Sequence, residues 1–535
     1  MFSVVFFDLI AMKVNRILSI TLLFTALASY SFGQHGNDTI PCLVTNSVAE
    51  SFFVNNSFWL NCQNSAGICF SGVREFSKVE LKAGYEQGDY HNVFQPQSNQ
   101  FYGFLSKGIK TLGKLHFMGA FDYNRDQSKG IAWSQMMDAE RSSPLVIADS
   151  IGGDWTKDRY NLSLKMGSEP LWGWLHLGLG THYAVGHGGR DNDPRPKSLT
   201  NSFALIPSVF VELSGNHKVG ASYSVRSYKQ DIDIVNRSGV GSSTIFKIFG
   251  LSLLENPMVK STVEYRIEGF NQSADLLYTL KLNGWNTFAR VGYGLVTEES
   301  IFTPYKAMVD NQTGEVSHIP VKEVRFAETQ LELTYGLELN TSYNPQRVQV
   351  SYSQNDAEAY KYSNQQVEYN RVSRQIGILY SAFIGSANQA KAFALHLGSR
   401  YAWQNTQQAF YAEKQVNTLN VNLHAEKAFL LFRRQSTVSA TAEWNGRIKS
   451  SLDINPESEF IKPETEITTP VVWNTFYFEE SSWASASLAW NIYLRSKSTV
   501  RPYFGVNVSG LKVVNSEAFA NEYRVFTAFS FGLQL

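Results

Sequence analysis

The densest group of potential metal ligands lies in the stretch THYAVGHGGRDNDPRP, which contains His182, His187, Asp191 and Asp193. Imidazole and carboxylate groups are common ligands of transition metals. His182 and His187 are an odd number of positions apart, so on one continuous strand their side chains would point to opposite faces. The glycines and polar residues around them are typical of a surface loop. We therefore predict a loop here and no metal site.

A second group of chemically suggestive residues is aromatic. In LWGWLHLGLGTHYAV, the same parity is shared by Trp172, Trp174, His176 and His182. On a strand these side chains would lie on one face, and inside a barrel that face could stack on a sugar or another ring-bearing solute. Aromatic residues at strand ends are more often anchors at a membrane interface. We predict lumen-facing positions for the four, with the interfacial anchor as the alternative.

No motif in the chain indicates catalysis. A G-x-S-x-G nucleophile elbow is absent, and serines and histidines at unknown separation do not define a nucleophile and its base. The cysteines are Cys42, Cys62 and Cys69, and their spacing does not match a zinc site. A Cys62–Cys69 disulfide and free thiols both remain open. We predict that the protein is not an enzyme and needs no cofactor.

The elements that carry these residues are predicted to be β-strands, because hydrophobicity alternates with period two along most of the chain. The segment SKVELKAGYEQ has one apolar face and one charged face, with Val79, Leu81, Ala83 and Tyr85 opposite Lys78, Glu80, Lys82 and Glu86. The same alternation recurs in QLELTYGLELN and TLNVNLHAEKA. One face suits hydrocarbon and the other suits a polar lumen, which is the pattern of a transmembrane β-barrel.

The chain ends on another such strand, EYRVFTAFSFGLQL. Its apolar face includes Tyr523, Val525, Phe529, Phe531, Leu533 and Leu535. A final strand without a partner would leave an exposed edge. Pairing with the first strand would close a barrel and remove that edge.

Turn signals give this barrel a direction. Short breakers alternate with longer polar stretches near 126–157, 188–198, 233–243, 301–325, 356–370 and 450–478. Short periplasmic turns and long extracellular loops are typical of a large antiparallel outer-membrane barrel, and we predict about 20 strands, within a range of roughly 16 to 22. A soluble propeller or a set of tandem sandwiches is the alternative, but no repeat of roughly 40 to 50 residues is visible.

The N-terminus indicates export. Lys13 and Arg16 precede an apolar run from Ile17 to Ala28, and small residues follow before Gln34. This is a secretory signal peptide, so we predict a signal peptide at 1–33, with translation starting at Met12 as an alternative. We then predict a periplasmic or lumen-inserted segment at 34–72 and the barrel at 73–535. The 47 basic and 47 acidic residues balance, which removes any general argument for nucleic-acid binding.

The inward-facing positions of the predicted strands carry both signs of charge. These positions are Glu80, Lys82, Glu264, Arg266, Glu268, Arg290, Glu332, Glu338, Arg347, Arg400, Glu426, Glu443, Arg501 and Arg524. Mixed charge fits a modestly selective pore or salt-bridged packing against a plug. It also fits solvated lumen side chains without a specific role.

The signal ending in FGQ, the aromatic-rich barrel and the terminal FTAFSFGLQL resemble outer-membrane proteins of Bacteroidota, in particular an uncharacterised barrel family with a domain of unknown function. The resemblance implies a role in nutrient uptake or surface assembly, beside a TonB-dependent receptor system. We expect outer-membrane lipid and the barrel assembly machinery as partners. The predicted function is a pore or an accessory component of nutrient uptake, and the alternative is a closed anchor whose long loops bind a partner.

The closing strand gives a first test. We expect deletion of residues 528–535 to abolish stable insertion, because the unpaired edges would find no water inside the membrane. Phe531→Asp should be much worse than Ser530→Asp, since the first faces hydrocarbon and the second faces the lumen. Immunoblots of outer-membrane fractions measure both effects. Normal levels of the truncated chain would contradict the barrel.

Overall fold

A computed structural model describes most of the chain. The described residues are 47–236, 245–251, 253–258, 262–282, 284–303, 308–309, 316–317, 320–339, 344–385, 392–409, 412–432, 434–455, 468–494 and 500–534. The predicted signal peptide, Met12, Cys42 and Leu535 lie outside this part. Within it, no helix is both long enough and apolar enough to cross a membrane.

Strands dominate the described residues. In chain order they are β1 (Glu75–Gly88), β2 (Ser98–Leu112), β3 (Leu115–Ile131), β4 (Leu145–Ala148), β5 (Gly153–Ser168), β6 (Leu175–Gly189), β7 (Arg195–Glu212), β8 (His217–Val235), β9 (Ile245–Phe249), β10 (Leu253–Met258), β11 (Thr262–Leu282), β12 (Trp285–Thr303), β13 (Met308–Val309), β14 (Val316–Ser317), β15 (Val321–Leu339), β16 (Gln346–Lys361), β17 (Gln366–Ile384), β18 (Phe393–Gln408), β19 (Ala412–Leu431), β20 (Arg434–Ile454), β21 (Ser482–Tyr493), β22 (Arg501–Asn515) and β23 (Tyr523–Gln534). Short helical segments span Ser47–Ala49, Glu50–Asn55, Phe58–Asn61, Ser65–Phe70, Thr468–Trp473 and Asn474–Glu480.

Eighteen of these strands form one closed antiparallel sheet. The last strand pairs with the first, so that Lys78 lies opposite Gln534 and Gly88 lies opposite Arg524. The prediction of a large all-β barrel is therefore confirmed, and the strand number falls within the predicted range. Because the number is even, β1 begins and β23 ends at the same end of the barrel. We call this the terminal end, and we call the opposite end the loop end.

The connections differ in length between the two ends. At the terminal end, two residues join β2 to β3 and four join β7 to β8. At the loop end, residues 132–152 join β3 to β5 and contain β4. The predicted loop at 356–370 is wrong, because β16 continues to Lys361 and β17 begins at Gln366. Its polar residues belong to the ends of these two strands, where the inward residues Ala357, Ala359 and Tyr369 join a buried hydrophobic core.

The outer surface carries exposed apolar side chains around the barrel, including Leu81, Leu177, Leu276, Leu333, Val421 and Phe531. In water these side chains would have no apolar partner. In a membrane the hydrocarbon chains of the lipids would cover them. The structure thus resembles outer-membrane barrels in its exterior as well as in its topology.

The polarity of the wall reverses near the loop end. Glu264 and Glu268 lie on the same outward face of β11 as Leu276. Val263 and Ile267 lie on the inward face and are buried. The lumen positions predicted for Glu264, Arg266 and Glu268 are therefore wrong. Here the wall extends past the apolar outer band, so its outside is polar and its inside can be apolar.

The inward apolar face at the loop end packs against a small sheet of β4, β9 and β10. Loop side chains such as Trp133, Met136 and Ile147 are buried there against Ile232 and Phe326 of the barrel wall. The loop end consequently contains a hydrophobic core of its own, to which the described part of the β3–β5 connection contributes.

Leu333 and Glu332 test the facing of the wall, since they are neighbours that are both exposed but lie on opposite faces of β15. Leu333→Arg places a charge in hydrocarbon and should destabilise the barrel by ~2–4 kcal/mol near the bilayer midplane. Glu332→Arg should cost less, because the lumen is polar and the change there is limited to the loss of the ion pair with Arg290. Unfolding in urea with refolding into vesicles gives both values. Equal effects would show that the strand register is wrong.

Candidate functional site

Residues 47–72 lie inside the barrel at the terminal end, and we call them the plug. They fold as short helical turns, two of which are capped at their start by a nearby side chain. The Ser57 hydroxyl accepts a hydrogen bond from the Leu60 N–H at 3.4 Å, and the Asn64 side chain accepts one from the Ala66 N–H at 3.0 Å. Such caps satisfy backbone donors that a short helix leaves free. The plug can therefore be compact without long regular helices.

Aromatic contacts seat the plug against the wall. The Phe58 ring stacks on Phe288 of β12 with a centroid distance of 3.8 Å, and the fully buried Phe52 lies 5.6 Å from Phe383 of β17. Phe70 meets Phe210 of β7 edge to face at 5.4 Å. These strands lie on different sides of the barrel, so the plug bridges across the lumen.

Basic side chains of the wall hold the plug backbone. Lys165 Nζ donates hydrogen bonds to the carbonyls of Leu60 and Cys62, each at 2.8 Å. Arg347 donates to the Asn56 carbonyl. These carbonyls lie at the ends of short helical turns, where acceptors have no helical partner. The wall thus supplies the missing donors, and a positive charge suits the C-terminal end of a helix.

Further polar contacts fasten the plug around the rest of its circumference. Lys78 of β1 pairs with Glu50 at 3.3 Å, and the amide of Asn64 donates to the carbonyls of Val209 and Ala221. The Ser47 hydroxyl donates to Glu426 of β19. These three polar groups of the plug are therefore matched to groups on the wall.

Two glycines of the wall make room for the plug. A Cβ at Gly178 would collide with the backbone nitrogen of Ala66, and a Cβ at Gly167 would collide with Ile68. Any larger residue would push the plug away from β5 and β6. The small residues that interrupt the inward face of these strands thus have a packing role.

A cavity of about 840 Å³ lies in the lumen nearer the loop end, and we call it the chamber. Its walls include Glu86, Asp126, Lys157, Arg159 and Glu298 of the barrel strands. Residues 137–142 of the β3–β5 connection also line it, and we call them the roof segment. This volume is within the range of small-molecule sites.

Ion pairs join the roof segment to the chamber wall. Arg141 pairs with Glu298 at 3.0 Å, and Asp138 lies 3.8 Å from Arg159. Arg159 also pairs with Asp126 at 2.9 Å. The chamber is therefore lined by charges of both signs, most of which neutralise each other.

The predicted aromatic face is divided by the structure. Trp172 and Trp174 belong to the turn between β5 and β6 and are exposed, so strand parity does not apply to them and a shared face with His176 is wrong. Their place at the terminal end fits the interfacial alternative. His176 is buried inside the barrel, where it contacts Glu212 at 3.0 Å and the ring of Phe70 of the plug.

The predicted lumen charges have distinct surroundings. Arg290 bridges Asp275 and Glu332 of the neighbouring strands at 2.9 and 2.8 Å. Glu443 accepts a hydrogen bond from Asn420 at 2.7 Å. Arg400 is exposed on the wall of β18.

Arg524 of β23 contacts residues near the loop end. It pairs with Glu86 of β1 and donates to the Pro96 carbonyl at 3.1 Å. The β1–β2 connection is therefore tied to the chamber wall. The exposed apolar residues of the same strand, Tyr523, Val525, Phe529, Phe531 and Leu533, lie on the outer face.

Cys62 and Cys69 are free thiols, so the disulfide alternative is not formed. Each sulfur points to a nearby carbonyl, Cys62 to that of Trp59 and Cys69 to that of Ala66. Burial raises the pKa of the Cys62 thiol, and it raises the pKa of Cys69 to about 12. Since the thiolate is the reactive form, both cysteines are chemically quiet while the plug is in place.

The histidine and aspartate stretch separates in space. His187 pairs with Asp158 at 3.2 Å on the outer face, while His182 lies on the inward parity of β6. Asp193 pairs with Arg195 at 2.8 Å, and Asp191 is exposed in the connection that follows β6. In the described ranges, no group of three or more His, Cys, Asp or Glu side chains could hold a metal ion.

Arg347 was among the inward charges predicted from the sequence, but the sequence analysis missed Lys165, Phe210 and Phe288, and also Lys107, which donates a hydrogen bond to the Asn55 side chain of the plug at 2.9 Å. One signal was available, because Phe210 and Phe288 are large apolar residues on the inward parity of their strands. An apolar side chain facing a lumen needs an apolar partner inside the barrel. The partner segment itself could not be identified from parity.

Cys62 provides a probe of the plug. We expect Lys165→Met to speed maleimide labelling of Cys62 by about tenfold or more, because a lost hydrogen bond from a charged donor costs roughly 1.5–3 kcal/mol. Mass spectrometry of a Cys42→Ser, Cys69→Ser background measures the rate. Arg400→Gln is the control, since it removes a lumen cation that does not contact the plug. Unchanged labelling in Lys165→Met would show that the lysine does not hold the plug.

The chain is similar to solved structures of outer-membrane proteins at low identity. These include the ferric preacinetobactin receptor BauA of Acinetobacter baumannii, with 8% identity over 86% of this chain and 80% of that chain and a TM-score of 0.39. The ferric-catecholate import receptor Fiu of E. coli K12 has 8% identity over 86% and 81%, with a TM-score of 0.38. The outer membrane protein opdK of Pseudomonas aeruginosa has 8% identity over 86% and 99%, with a TM-score of 0.34.

No curated protein sequence matches the chain. A family match does exist, and it covers residues 65–535, which include all eighteen barrel strands. The predicted relation to an uncharacterised barrel family is confirmed to this extent, and the origin in Bacteroidota stays a prediction. The chain belongs to the family of unknown function DUF6850.

Proposed function

We propose that this protein is a gated outer-membrane barrel for the uptake of a small polar solute, with the plug as its gate. The observation that carries the proposal is the plug itself, which bridges the lumen at the terminal end and is held from several sides by the wall. A lumen obstructed in this way is not a permanently open pore.

The outer membrane is the compartment that suits this barrel. Its apolar exterior requires hydrocarbon, and closure of the sheet leaves no unpaired edge in the bilayer. Export with cleavage before Gln34, insertion by the barrel assembly machinery and a functional link to a TonB-dependent receptor system remain parts of the proposal. In the outer membrane the terminal end would face the periplasm.

The chain connection allows the plug to move as a gate. Residues 73 and 74 alone separate the plug from β1, so withdrawal toward the periplasm would break no strand pairing of the barrel. The contacts that would break are aromatic packing and hydrogen bonds to the plug, and the barrel ladder would stay intact. A solute in the chamber would reach the periplasm only after this movement.

A closed surface anchor is the second candidate function, and the hydrophobic core at the loop end favours it. A folded cap of this kind could present the long connections to a partner protein. The anchor interpretation predicts that the plug never leaves the lumen and that no solute passes.

Conductance in planar bilayers separates these two functions. We expect the full mature chain to conduct little, and a chain lacking residues 35–72 to show larger, stable steps, because the deletion removes the obstruction at the terminal end. Phe58→Ala should lie between them, since it loses the stacking contact with Phe288. Arg400→Gln is the control for a change in the lumen away from the plug. A deletion variant that folds but does not conduct would overturn the gate and favour the anchor.

A further inference from the structure

The chamber contains two charged groups whose partners are uncharged. Lys157 Nζ donates to the Met137 carbonyl at 3.2 Å and lies over the Trp155 ring at 5.2 Å. Glu140 accepts a hydrogen bond from the Asn92 amide at 3.1 Å. Neutral partners satisfy hydrogen bonding but do not neutralise charge.

The other charges of the chamber differ in this respect. Glu86 pairs with Arg524, Glu298 with Arg141, and Arg159 with Asp126 and Asp138. Within the described part of the chain, Lys157 and Glu140 alone among the charged chamber residues have no oppositely charged group at ion-pair distance. The chamber therefore has one positive and one negative group available to a ligand.

We propose that the chamber binds a zwitterionic ligand of the peptide class, with its carboxylate on Lys157 and its amino group on Glu140. This inference rests on the proposed function, in which the chamber holds the solute. An anion alone would leave Glu140 uncompensated, and a cation alone would leave Lys157 uncompensated. A ligand with both charges neutralises both groups, and charge-assisted hydrogen bonds are the strongest available to it.

The remaining lining fits the body of such a ligand. Tyr90, Phe94 and Tyr228 supply aromatic surface, and Asn99 and Asn271 supply amides that can bind peptide groups. A cavity of about 840 Å³ has room for a short peptide. Because the chain length determines how far apart the termini lie, the ligand is expected to have a preferred length.

The roof segment connects binding to the loop end. Glu140 belongs to the roof segment, and Lys157 holds the roof through the Met137 carbonyl. A ligand carboxylate that forms an ion pair with Lys157 would replace the hydrogen bond from Lys157 to the Met137 carbonyl. Ligand binding and the position of the roof segment are thereby coupled.

The test uses the full mature chain in detergent and isothermal titration calorimetry. The probes are alanine, dialanine, trialanine and tetraalanine, with maltotriose as an uncharged solute. We expect at least one of the four alanine compounds to bind, and maltotriose not to bind. For the best peptide, N-terminal acetylation and C-terminal amidation should each weaken binding by about tenfold or more, because each removes one charged contact.

Two variants assign the charges. In Glu140→Gln, acetylation of the peptide should no longer weaken binding, whereas amidation still should. In Lys157→Gln, amidation should no longer weaken binding, whereas acetylation still should. Glu268→Gln and Lys229→Gln on the outer wall make the same charge changes away from the chamber and should bind as the unmodified protein does. Retained heat-modifiable mobility on gels shows that each variant is folded.

The outcomes separate this inference from the proposed function. Equal binding of capped and uncapped peptides, equal binding of maltotriose, or no binding of any alanine compound would each overturn the ligand class. Conductance that depends on the plug would still support the gate in those cases. Peptide binding by the full chain, together with no conductance from the chain that lacks residues 35–72, would instead support the ligand class and overturn uptake.

Discussion

The constraint on which this structure depends is that no strand edge can stay unpaired inside a membrane. Backbone groups at an open edge would have no water to bind, and each would cost several kcal/mol. Pairing of β1 with β23 removes both edges at once. With an even number of strands, this pairing also brings the beginning and the end of the barrel to one side. The segment that precedes β1 consequently starts at the mouth of the lumen, which is where the plug is found.

Closure creates a second requirement, because a barrel of this size encloses more space than its own side chains can fill. Large barrels hold water or a plug in that space. In this chain the two ends are filled differently. The terminal end holds a separate segment, fixed by wall donors such as Lys165 and Arg347. The loop end holds a hydrophobic core made from the long connections. The chamber is the space that neither filling occupies.

Because the two ends of the barrel are filled by different segments, the inward side chains of the same strands have different partners along the barrel. Polar inward side chains near the plug make hydrogen bonds to its carbonyls, and charged inward side chains around the chamber pair with the roof segment. Apolar inward side chains at the loop end pack against β4 and β9. The plug contacts and the chamber lining are thus both built from inward positions, at different levels of the same strands.

The sequence alone determined the closed barrel, the terminal strand and the outward placement of residues such as Leu177, Leu333 and Phe531, because period-two alternation is a local property of the chain. It failed where the environment changes along a strand. Glu264 and Arg266 lie outside, since near the loop end the outside of the wall is polar and its inside packs against a hydrophobic core. Trp172 and Trp174 lie in a turn, where parity has no meaning. Only the tertiary structure decided that residues 47–72 enter the lumen, and that Lys157 and Glu140 line one chamber with no oppositely charged group at ion-pair distance among the described residues. These pairings join positions far apart in the chain, and no local pattern encodes which distant residue will complete a buried contact.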